Sequence, residues 1–137
     1  MRRLAAAIAL ICLGACTNEI DESTRPENIV GNYQLVSVGG EPLPATRQID
    51  TTTALIISGE LILTSDRRWT ETIKLRSNSG AGQILLEDGA GGWTIIRDFA
   101  YLAFTDTRNS YQFSGTASGR TIVLTFADGS EMVYRRL

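Results

Sequence analysis

The sequence predicts an all-β fold, a small antiparallel up-and-down β-barrel of eight to nine strands. Short runs rich in β-branched and aromatic residues recur along it, parted by glycine-rich and Asp-Gly turns. In the clearest run, Arg68 to Arg76, side chains alternate: Trp69, Ile73 and Leu75 share one face, with Glu71 intruding, while Thr70, Thr72, Lys74 and Arg76 take the other. No stretch carries an apolar i, i+3, i+4 stripe long enough for a major helix. Closure follows because an open sheet this small would leave hydrophobic edge strands unpaired.

Residues 31–38 (GNYQLVSV) open the barrel with Tyr33 and Leu35 on one face. Gly39-Gly40 turns the chain, Pro42 and Pro44 keep the next stretch irregular, and the polar Ala45 to Thr52 reads as a loop or short helical turn. Ala54 to Thr64 is a strand with Gly59 as its bulge or bend. After Arg68–Arg76 comes a small loop, Ser77 to Gly82. Gln83 to Arg97 is then one long strand broken at Gly89–Gly92, or two strands. Ala100 to Thr105 and Ser110 to Thr116 follow. Ser118-Gly119 signals a two-residue hairpin into Thr121–Ala127, and Asp128-Gly129 signals a type I′ turn into the closing strand Glu131–Arg136.

The start of the chain has a different character. Met1-Arg2-Arg3 is positive, and Leu4 to Leu13 is a run of about ten apolar residues, half the roughly 20 needed to span a bilayer. It ends in Leu13-Gly14-Ala15-Cys16, which resembles the lipobox of bacterial lipoproteins. The resemblance implies a signal peptide over residues 1–15, cleavage before Cys16, and a lipid attached to that sulfur. Each buried CH₂ contributes roughly 0.8 kcal/mol, so two or three acyl chains would hold the protein permanently. Residues 16–28 are then the lipidated cysteine and a flexible, mostly acidic tether interrupted by Pro26, and residues 29–137 are the barrel domain. Thr17 follows the cysteine, and similarity to lipoprotein sorting signals points to the outer membrane, with the domain facing the periplasm.

The chain has 137 residues, 13 basic and 15 acidic, and no histidine. Loss of Arg2 and Arg3 with the leader leaves a net charge of −4, which gives no footprint for nucleic acid. Cys12 departs with the leader and Cys16 is consumed by lipid. Cysteine nucleophiles, Ser-His-Asp triads and Cys/His zinc sites are therefore excluded, and no cofactor, metal or enzymatic activity is expected. Carboxylate pairs such as Glu60 with Glu71, or Glu87 with Asp88, read as exposed acids on a sheet face. Asp106 and Asp128 read as turn residues bonding their own backbone.

Gly31-Asn32-Tyr33-Gln34-Leu35-Val36-Ser37-Val38-Gly39-Gly40-Glu41-Pro42-Leu43-Pro44 resembles the opening of lipocalin-like domains of bacterial lipoproteins, G-x-[WY]-x-L-x-S-V-x-G-x-P-L-P. Residues 58–63, 114–124 and 133–136 are similar to their second strand and closing hairpins. The second lipocalin motif, T-D-x-x-Y, is not matched, since Thr107, Arg108 and Asn109 follow Thr105-Asp106. The resemblance implies a structural motif of Gly31 and Tyr33 under an arginine, Arg135 or Arg136, with Arg135 taken as the cation. It also implies a small apolar ligand or envelope component among the inward aromatics Trp69, Trp93, Tyr101, Phe104, Phe113 and Phe126. A barrel filled by its own side chains, acting as a structural or interaction module, is the alternative. Oligomeric state is not legible.

Overall fold

In the computed structural model, residues 29–49, 52–77, 82–97 and 101–137 are described. The leader, Cys16 and the tether lie outside them. Ten strands run in chain order: β1 Gly31–Val38, β2 Glu41–Pro42, β3 Ala45–Ile49, β4 Thr52–Leu63, β5 Arg68–Ser77, β6 Ile84–Arg97, β7 Tyr101–Asp106, β8 Gln112–Ser118, β9 Thr121–Thr125 and β10 Glu131–Arg136. Each of β4 to β10 pairs antiparallel with its sequence neighbour, and β1 pairs with both β10 and β4. Eight strands thus close an up-and-down barrel, and β2 and β3 are short additions.

Those additions sit at the seam. Gly31–Gln34 of β1 pair with Glu60–Leu63 of β4, and further along the two strands part. Beyond that point Ser37 and Val38 pair with β2, while Thr52–Ile56 of β4 pair with β3. Register shifts between Leu35 and Ser37 in β1, and between Ile56 and Ser58 in β4, fall where the strands diverge, and an extra residue in a strand bends it. The segment from Ala45, expected as a loop, is therefore largely a strand. Ala45 is buried and Thr46 and Gln48 face out, an alternation too short and too polar to announce itself. Gly59 is not the bulge either: a Cβ there would lie 2.7 Å from Ile73 Cδ1 and 3.0 Å from Leu35, so it is a close-packing position.

β6 runs unbroken through the four residues expected to interrupt it. Its pleat turns Gly89 and Gly91 inward beneath the Trp69 indole, where a Cβ on Gly89 would stand 2.8 Å from the ring. The turn at residues 126–130 is wider than type I′. Phe126 N donates to Ser130 O, and Gly129 has φ +79° while Asp128 lies outside the left-handed region. The β8–β9 turn places Gly119 (φ +57°) and Arg120 between the paired Ser118 and Thr121.

One end of the barrel is shut by its own side chains. Tyr33 is buried and donates its hydroxyl hydrogen to Ile29 O at 2.6 Å. Arg136 lies over that ring, its Cζ 5.9 Å from the centroid, and its Nη2 donates to Val30 O. The cation is thus Arg136, not Arg135. With Met132 and Tyr134 buried, the two-residue period puts Arg136 on the inner side and Arg135 in solvent. Such a pair contributes about 0.5–2 kcal/mol. Gly31 permits it, since a Cβ there would come within 2.9 Å of Arg136 Nε. Trp93 closes the same end: its Nε1 donates to Arg68 O at 3.0 Å, and Arg67 covers its ring with Cζ 4.6 Å from the centroid.

Candidate functional site

At the opposite end the seam and the longer turns leave a cavity of about 520 Å³. Its apolar wall is an aromatic ladder centred on Phe113. Phe104 and Phe126 stack on it at centroid distances of 5.0 and 5.4 Å, and Trp69 meets it edge-on at 5.4 Å. Each such pair adds about 0.5–1.5 kcal/mol beyond area burial. Tyr111 extends the ladder to the rim, 6.2 Å from Phe113. Ile73, Leu86 and Met132 also line it.

The polar wall comes from strands β3, β5, β6 and β7, the last through Asp106. β3 brings in Arg47, which pairs across the ladder with the small, buried Ala54. Its Cζ lies 5.0 Å from the Phe126 ring centroid. β5 brings in Glu71, flanked by Leu61 on β4 and by the side-chain-free Gly89 on β6. Tyr134 of β10, wholly buried, donates its hydroxyl hydrogen to Glu71 Oε1. β6 also brings Glu87 to the rim, paired with the inward Ile73.

Burial dominates the electrostatics. It raises the Glu71 carboxyl above its ordinary range, against the lowering effects of the Tyr134 hydrogen bond and the Arg47 charge, and Glu87 adds to the rise. The Tyr134 phenol is pushed well above its usual value by the same burial and by the adjoining carboxylate. Asp106 is held low, first by the backbone N–H of Arg108 at 2.7 Å, and Asp128 is held low by the Ser130 hydroxyl.

A raised acid binds its proton more tightly folded than unfolded, so its contribution to stability declines as pH climbs past about 4.5, its unfolded value. Glu71→Gln, which keeps an acceptor for Tyr134, is therefore expected to gain stability relative to the parent between pH 4 and 8. The lowered Asp106 and Asp128 act at lower pH, equally in both proteins, and cancel from the difference. Urea midpoints across this range check the expectation; a constant offset would show that Glu71 does not titrate abnormally.

Of the aromatics expected inside, Trp69, Phe113 and Phe126 line the cavity and Phe104 lies buried behind Phe113. Trp93 belongs to the closed end. Tyr101 is 48% exposed and points outward, because Leu102 and Phe104 hold the inward parity of β7. Glu60 and Glu71 are on opposite faces, since Glu60 neighbours the inward Leu61. Asp88 takes a hydrogen bond from Thr72 Oγ1 at 2.9 Å on the outer face, apart from Glu87 in orientation. Arg47, Tyr134 and Met132 had not been expected at a site. Glu71 carried a signal, a lone charge on an apolar face. Among the described residues no group of His, Cys, Asp and Glu is placed to hold a metal.

No family model matches the chain, and no curated protein matches it. Among solved structures, two asparagine-replacement mutants of the fluorescent protein UnaG are similar to it. One is 12% identical, covering 82% of this chain and 99% of its own, with a TM-score of 0.37. The other is 11% identical, covering 82% and 98%, with a TM-score of 0.34.

Proposed function

We propose that this protein is a lipid-anchored lipoprotein of the bacterial envelope whose barrel binds a small, largely apolar molecule, without catalysing a reaction on it. The observation that carries the binding reading is the cavity of about 520 Å³, walled by Trp69, Phe113 and Phe126, within the range of ligand sites. A barrel filled by its own side chains would lack that space. The anchor rests on Leu13-Gly14-Ala15-Cys16 closing a short apolar leader. The outer membrane, with the domain in the periplasm, is the location this reading favours.

The test uses the full-length chain expressed in a bacterium, beside its Cys16→Ser variant. The parent is expected with the membrane fraction and the variant in the soluble fraction; equal partition would remove the anchor. The purified parent is then titrated with N-phenyl-1-naphthylamine, a neutral apolar fluorophore. A ligand of this size is expected to bind one to one with a Kd on the order of 10–100 μM. Energy transfer from Trp69 in a Trp93→Phe background places the probe in the cavity. Absence of saturable binding would favour the interaction module.

A further inference from the structure

Among the charges that face the cavity, negative ones are in excess. Asp106 and Arg108 satisfy each other at 3.4 Å, and Arg108 also donates to Asp88 O. The Asp88 carboxylate is taken by Thr72. What remains along the lining is Glu71 and Glu87 against Arg47. Tyr134 bonds one oxygen of Glu71, and its hydroxyl is the hydrogen-bond partner of that carboxylate among the described residues. A carboxylate placed here would meet two like charges, and desolvation would sharpen the repulsion.

The apolar wall carries the same preference. Aromatic faces attract cations through their quadrupole, and organic ammonium groups are recognised in this way. In this barrel the Phe126 face already holds a guanidinium, Arg47 at 5.0 Å. Trp69, Tyr111 and Phe113 are the other aromatic residues that line the cavity.

We infer that the ligand is an organic cation, an apolar or aromatic body bearing one ammonium or comparable group, with the body on the Trp69–Phe113 wall and the charge between Glu71 and Glu87. This rests on the binding function proposed above and names the class of molecule. The countercharge would relieve the penalty that burial imposes on Glu71. No bond is made or broken.

Three probes sharing one body separate charge from apolar fit: 4-phenylbutylammonium, 4-phenylbutanol and 4-phenylbutanoate, each titrated by calorimetry at pH 7. The ammonium is expected to bind at least about tenfold more tightly than the alcohol, and the carboxylate more weakly than either. Glu87→Gln and Glu71→Gln should each shrink the ammonium's advantage severalfold. Glu60→Gln, which removes an equal charge from the outer face of β4, should leave it intact. Equal binding of all three probes would overturn the charge preference while leaving a binding cavity. Tighter binding of the carboxylate, abolished by Arg47→Gln, would overturn it in favour of an anion site. No binding of any probe would overturn both this inference and the function on which it rests.

Discussion

Gly91→Ala is expected to destabilise the barrel by more than about 3 kcal/mol, the upper end of what overpacking costs. A Cβ at this position would lie 1.7 Å from the carbonyl oxygen of Thr105 and 2.8 Å from Trp69 Nε1. The first contact is with backbone, which has no rotamer to yield. The methyl would also stand between an indole N–H and its acceptor, the 3.3 Å bond from Trp69 to Thr105 O. Relief requires β6 and β7 to separate where Gly91 pairs with Asp106. Equilibrium unfolding in urea measures the loss; a shift under about 1 kcal/mol would mean that the sheet yields there freely.

Trp69→Ala is expected to cost about 3–5 kcal/mol, as large aromatic truncations do, and to abolish probe binding in the cavity. The side chain is 2% exposed and meets Phe104 and Phe113 edge-on at 6.2 and 5.4 Å. A double-mutant cycle makes the prediction specific. Gly89→Ala alone should cost about 1–3 kcal/mol, because its Cβ would strike the Trp69 ring at 2.8 Å. In the Trp69→Ala background that cost should nearly vanish, whereas Gly91→Ala should stay costly because its clash is with Thr105. Additive Gly89 and Trp69 effects would show that the glycine serves some purpose other than seating the indole.

These two positions also show where reading the chain succeeds and where it stops. The alternation through Arg68–Arg76 is visible because β5 has a core on one side and water on the other, and the strand forms as expected. Period two would also have turned Tyr101 outward and chosen Arg136 over Arg135. Residue type, followed instead, favoured the large aromatic, and the resemblance took Arg135 as the cation. Gly89 to Gly92 mislead for a physical reason: glycine weakens a strand locally, yet a barrel needs bare backbone where an indole must lie flat. Arg47 was hidden because β3 is held by pairing with β4 rather than by an apolar face of its own. Glu71 stood in plain sight as the wrong residue on a buried face, which is what a cavity does to a pattern otherwise written for a core.

Ile29 and Val30, bound to Tyr33 and Arg136, fix the point at which the preceding residues join the domain, and that point is at the shut end. Suspension from Cys16 would hang the domain by its base, on a leash of twelve residues that reaches at most about 40 Å. The attachment would then be made away from the opening and leave its rim clear.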